Sequence, residues 1–268
     1  HLHVVQIPGD GPAAIWSDGG HTRLGRPGKE AVTVIEGAIP EGVLGVTGGL
    51  RVLGRGSTIV QIHALDADGG PISTHFVNSV DEVGAVGLHR EEDYILMPYV
   101  GPGDDLPLWY QESSVTGGQC SLPGLLGTSL GPTGTLVGST LSYGLAVIAW
   151  ETEEDPGCPV SHVGVFVPGI QSDLHVTTVP FGGRTGVTAT SDLATIVALQ
   201  PTPEGFRPRA QFVDVPTLGL GAAAVGPTFN ADEEPTVWAV SRASGRYALA
   251  WSGEDGVRLE RFCFSGAP

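Results

Sequence analysis

Short runs of Val, Ile, Leu, Ala and aromatic residues, cut by clusters of Gly, Pro, Asp and Glu, make up most of this chain. Four runs align without gaps, at 94–99 (YILMPY), 145–150 (LAVIAW), 194–199 (ATIVAL) and 246–251 (RYALAW), spaced by about 50 residues. They are apolar at consecutive rather than alternate positions, the pattern of a strand covered on both faces. Each is followed by a polar turn (GPGDD, ETEEDPG, QPTPEG, SGEDG) and a second strand (LPLWYQE, PVSHVGVFV, RPRAQFVDV, VRLERFCF), which predicts a hairpin. A shorter strand precedes each run (VGAVGLH, TGTLVGS, RTGVTAT, PTVWAV), and a fourth follows most clearly at 72–78 and 175–180. No amphipathic stretch escapes Gly and Pro for long enough to make an ordinary helix, so the class is all-β. Four short antiparallel strands in a repeating unit of this length are the pattern of a β-propeller blade.

Third strands near residues 61, 109, 164, 211 and 260 predict five blades. The last segment, 256–268, holds a third strand and its turn but no fourth. Residues 1–12 (HLHVVQIPGDGP) align with 174–184, His3 falling on His175, Val4 on Val176, Pro8 on Pro180 and Gly11 on Gly183. The chain therefore reads as a single domain over 1–268, a five-bladed β-propeller closed by its N-terminal strand, which would cover an open sheet edge. The first blade takes its first strand from 12–17 and its second from 50–54, with a loop insertion around 18–48 between them. The alternative is six blades, with a degenerate blade 1 in that interval.

Composition narrows the partners. Twenty-nine acidic against 13 basic residues give a formal net charge of -16, a field that repels phosphate backbones, so nucleic acid is not an expected partner. No run of about 18 apolar residues is present, so no membrane span is expected. Cys120, Cys158 and Cys263 lack metal spacing and are odd in number, which predicts buried thiols rather than a disulfide framework. The segment 20–55 is net basic, with Arg23, Arg26, Lys29, Arg51 and Arg55 against Glu30, Glu36 and Glu41, a surface on which an acidic partner could dock.

Signatures of covalent catalysis are missing. Ser142, in 140–144 (TLSYG), falls one residue short of a nucleophile elbow, and 25–30 (GRPGKE) has the wrong glycine spacing for a phosphate loop. Asp66, Asp68, Gly69 and Gly70 begin like a calcium loop, but the bidentate glutamate is missing and the segment reads as a hairpin turn. The phrases 64–72 (ALDADGGPI) and 247–256 (YALAWSGEDG) resemble repeats of secreted bacterial β-propeller proteins. That resemblance implies the fold and a secreted or cell-envelope location, and it transfers no catalytic residue.

Links between blades converge on one mouth of a propeller channel. Here they carry Asp10, Asp81, Glu82, Arg184, Asp232, Glu233 and Glu234, which are the candidate ligand-binding residues. The expected function is a ligand-binding or interaction propeller taking carbohydrate or another small polar ligand, or Ca²⁺ held by the acids. One alternative is a glycosidase or other hydrolase using two of these carboxylates. Another is a structural repeat module of the cell surface. His1 and His3 are candidate metal ligands where His1 is the native N-terminus, since the amine, two amides and the His3 ring could hold Cu(II) in a square plane.

Overall fold

Strand follows strand along the chain, each paired to the one before it. The computed structural model describes residues 1–57, 59–77, 89–91, 94–100, 107–114, 124–130, 134–142, 145–155, 158–167, 174–179, 181, 185–190, 192–243, 246–253 and 256–264. The described strands form six antiparallel sheets. The first holds β1 (Leu2–Ile7), β2 (Gly11–Asp18), β3 (His21–Gly25) and β4 (Val32–Ile35); the second, β5 (Ile39–Val46), β6 (Gly49–Arg55), β7 (Val60–Asp66) and β8 (Pro71–Val77). The third holds β9 (His89–Glu91), β10 (Tyr94–Val100), β11 (Pro107–Ser114) and β12 (Gly124–Ser129); the fourth, β13 (Thr135–Ser142), β14 (Leu145–Asp155), β15 (Cys158–Phe166) and β16 (His175–Val179). In the fifth, β17 (Thr185–Thr190), β18 (Leu193–Thr202), β19 (Gly205–Asp214) and β20 (Leu220–Val225) pair in order, and β21 (Phe229–Asn230) also pairs with β19. The sixth has three strands, β22 (Trp238–Ala243), β23 (Arg246–Gly253) and β24 (Gly256–Phe262). None of the described elements is a helix long and apolar enough to cross a membrane.

First strands of neighbouring sheets lie side by side, β1 beside β5, β9 beside β13, β13 beside β17, β17 beside β22, and β22 beside β1. This closes a ring of blades stacked face to face. Apolar cores fill the seams. Val5, Ile7, Ile15 and Leu24 meet Leu50 and Val52 between the first two blades. Phe206 and Phe212 meet Tyr247, Trp251 and Phe262 between the fifth and sixth. Consecutive burial along β18, from Ala194 to Leu199, follows from a blade on either side. The four repeat hairpins expected from the sequence are those of β10–β11, β14–β15, β18–β19 and β23–β24.

Two expectations are corrected. The N-terminal strand does not complete the last blade, since β1 pairs with β2 from Leu2 opposite Trp16 to Ile7 opposite Gly11. It is the innermost strand of its own blade and lies beside β22 without pairing to it. The interval 18–48 is not a loop insertion, because β3, β4 and β5 occupy it. Its first turn is the Gly19–Gly20 pair, with φ of 59° and 83°, the two positive dihedrals that a tight two-residue hairpin requires. Segments 12–17 and 50–54 are thus second strands of different blades, and the count of five gives way to six sheets. Alignment of β1 with β16 matched apolar length, a following proline and a glycine three residues beyond it. Burial separates them: β1 is covered on both faces, whereas His175 and Val176 of β16 are exposed.

Candidate functional site

Strand order decides which loops share a face. Directions alternate within a blade, so the turn between its second and third strands and the link into the next blade emerge on one side. The turns between first and second, and between third and fourth, emerge on the other.

Asp232, Glu233 and Glu234 lie on the link between β21 and β22. On the same face, Glu204 occupies the turn between β18 and β19, and Gly253 opens the turn between β23 and β24. Together with Asn230, Ser252 and Arg258 they line an open cleft of about 500 Å³ across the seam of the fifth and sixth blades. Its floor is Trp251, which packs edge-on against Phe206 with centroids 5.1 Å apart and lies 5.4 Å from Phe229. This aromatic cluster fixes the base, while Asp232, Glu233, Glu204 and Arg258 are exposed at the rim. The cleft is lined by the link that runs into β22 together with the ends of the second and third strands.

Asp10 does not belong to it. This residue lies in the turn between β1 and β2, on the opposite face, where its carbonyl accepts from Arg26 Nη2 at 3.0 Å and its carboxylate lies 3.6 Å from the same nitrogen. Asp81, Glu82 and Arg184 fall outside the described residues. Glu204, Asn230 and Arg258 were missed by the sequence reading, which considered links between blades and ignored the hairpin turns that share their face.

The basic segment is largely engaged within the molecule. Arg26 donates to the Ala67 carbonyl at 2.8 Å, Lys29 lies 2.6 Å from Asp68, and Arg55 Nε lies 3.1 Å from Glu41. The 66–70 segment is a hairpin turn in which Asp66 Oδ1 accepts from the amides of Asp68 and Gly70 at 3.0 and 2.7 Å. Cys263, expected to be buried, is an exposed free thiol.

His1 and His3 are placed as parts of the scaffold. His3 is part-buried, lies opposite Ile15 in the ladder, and donates from Nε2 to the Pro40 carbonyl at 3.1 Å. Burial pushes its imidazole down to about 4; the bond to Pro40 opposes the shift and the terminal amine adds to it. His1 Nε2 lies 4.0 Å from Glu41. Glu41 itself sits where the β5–β6 register shifts between Pro40 and Gly42, a bulge that turns its carboxylate inward. Burial raises its pKa, with Arg55 opposing, and its Oε2 has no hydrogen-bond partner among the described residues. Among the described residues, no three His, Cys, Asp or Glu side chains converge as a metal site, in the cleft or elsewhere.

No protein-family model matches the chain, and no curated protein sequence matches it. Solved structures do. A mutant of the Aleuria aurantia lectin in complex with Fucα1-6GlcNAc has a TM-score of 0.60 at 10% identity, over 100% of this chain and 96% of that one. A subtype N10 neuraminidase-like protein from A/little yellow-shouldered bat/Guatemala has a TM-score of 0.60 at 10% identity, over 99% and 94%. The Pan2 WD40 domain of Neurospora crassa has 0.55 at 12%, over 99% and 78%. All three are β-propellers, and the likeness at these identities is one of fold: this chain is a β-propeller.

Proposed function

We propose that this propeller is a binding module that holds a polyhydroxylated ligand, a glycan, in the cleft between its fifth and sixth blades. The observation that carries this reading is the cleft's lining. The carboxylates of Glu204, Asp232, Glu233 and Glu234 supply acceptors, and Asn230 and Arg258 supply donors, around about 500 Å³ of open space. Sugar hydroxyls both donate and accept, so they suit a rim carrying both kinds of group, and the volume lies in the ordinary range for small-molecule sites of roughly 300–1,000 Å³. Lack of a convergent metal-binding triad among the described residues favours a hydroxylated ligand over Ca²⁺. The lectin in complex with a fucosylated sugar lends support at the level of fold, because a propeller of similar shape there presents a sugar.

A glycan array followed by calorimetric titration of the best binder tests the reading. Asp232→Asn and Glu233→Gln each remove one charge from an exposed rim residue. They are expected to weaken binding about tenfold, roughly 1.4 kcal/mol, while leaving the melting temperature unchanged. Failure of every glycan to bind, or binding untouched by both substitutions, would overturn it. A melting temperature raised by millimolar calcium and lowered by chelator would point to a cation instead.

A further inference from the structure

Charge is unevenly distributed around the cleft between the fifth and sixth blades. Its lining holds four carboxylates, those of Glu204, Asp232, Glu233 and Glu234, and one guanidinium, that of Arg258. Arg258 and Glu234 each have an interaction of their own. Glu204, Asp232 and Glu233 are different: all are exposed, and none makes an ion pair among the described residues. Acids on the opposite side of the ring are matched, Asp10 with Arg26, Asp68 with Lys29 and Glu41 with Arg55. The three rim carboxylates come from two separate segments, the β18–β19 turn and the link into β22, and the fold brings them to one recess without a counter-charge.

Such a recess draws cations. Its floor is apolar, with Trp251 packed on Phe206 and Phe229, and like charges gathered over a low-dielectric wall repel one another and focus a negative potential. The chain's net charge of -16 adds a field of the same sign. A neutral sugar leaves that repulsion in place. A sugar bearing a protonated amine relieves it and donates charge-assisted hydrogen bonds to the carboxylates. The floor itself offers an indole, the aromatic ring that attracts cations best. Asn230 brings an amide that donates and accepts, which suits the remaining hydroxyls. We propose that the ligand of this cleft is a basic amino sugar, a glycan whose units carry free amines in place of hydroxyl or N-acetyl groups. The inference rests on the glycan reading above and names the class of sugar. Because the three carboxylates are exposed, where single ion pairs are weak, the selectivity expected is about tenfold.

The probes are three oligosaccharides of one length and one glucan backbone, differing only in whether each unit carries a free amine, an N-acetylated amine or a hydroxyl. Calorimetric titration at about pH 6, where such amines are charged, should find the amine form bound about tenfold more tightly than either neutral form. Raising salt from about 0.05 to about 0.5 M shortens the screening length and should erase most of that preference. Glu204→Gln and Asp232→Asn each remove one charge at nearly constant shape, and each should shrink the preference about twofold with an unchanged melting temperature. Neutral forms bound as tightly as the amine form, or a preference that neither salt nor the substitutions reduce, would overturn this inference and leave the glycan reading standing. Failure of all three oligosaccharides and of the glycan array would overturn both. A lysine oligopeptide of equal charge bound as tightly as the amino sugar would show that charge alone is read, and would likewise overturn both.

Discussion

The part-buried ring of His3 gives this protein a pH dependence. The His3 imidazole titrates near 4 when folded and near its ordinary 6.5 when unfolded, mainly because burial penalises the charged form. The unfolded chain thus takes up a proton that the folded one refuses. The contribution of His3 is complete above about pH 6.5 and is lost as pH drops towards 4, a loss on the order of 2–3 kcal/mol. His63, whose pKa is also lowered by burial, acts with the same sign. Glu41 acts with the opposite sign: its carboxyl is raised, so its contribution is full at low pH and is lost as pH rises through the folded value. His3→Gln isolates the first effect, because an amide can still donate to the Pro40 carbonyl without titrating. Denaturant unfolding at pH 7 and 4.5 should show wild type losing about 2 kcal/mol more than the variant between the two. Equal losses would mean that the ring is not held neutral. The fold itself does not demand an ionisable group at the bulge beside it, since the matching shift in β13–β14, between Leu136 and Gly138, has Val137 there.

At the scale of strands, close approach of neighbouring blades sets the limits on sequence. A Cβ on Gly45 of β5 would fall inside the backbone carbonyl of Gln6 in β1, and backbone cannot rotate aside. Gly45→Ala should therefore cost at least about 2 kcal/mol by forcing the first two inner strands apart. Gly48→Ala, in an open turn at φ 76° with nothing near its Cβ, should cost only about 1 kcal/mol. Thermal melts of the two variants compare these values, and similar losses would show that the inner strands yield. Such strands were legible in the sequence wherever local chemistry specified them. Turn residues between 150 and 158 or 199 and 206 mark hairpins without reference to the rest of the chain. The place of β1 was not legible, because an inner strand covered by two blades and an outer strand with proline and glycine at the same spacing after it read alike until their neighbours are known. The site was split for the same reason. Asp232 to Glu234 were found from their link, whereas Asp10 was misassigned to that face because a strand's rank in its blade, a non-local property, decides where its turn emerges.

Across the whole ring, the first and sixth blades meet at a seam that none of the described strands crosses. The sixth and first blades meet through Leu2, Ala14 and Ala250, with Val4, Trp16, Ala239, Val257 and Leu259 packed around them. Between the fifth and sixth blades, twelve buried residues include Phe206, Phe212, Tyr247 and Trp251. Apolar burial scales with the area covered, so the closing seam holds less tightly and should open first as a local unfolding event. Trp16 is its largest side chain. Trp16→Ala removes the body that bridges β2 to Val257 and Leu259 and should cost about 2–4 kcal/mol. Native-state hydrogen exchange distinguishes a seam from a general loss of stability. At low denaturant, the amides of β1, β22 and β24 should exchange faster in the variant, while those of β18 and β19, buried in the fifth blade, keep wild-type protection until global unfolding. Uniform acceleration across all six sheets would mean that the ring opens only as a single cooperative unit, and that side-chain packing alone closes it as firmly as a shared strand would.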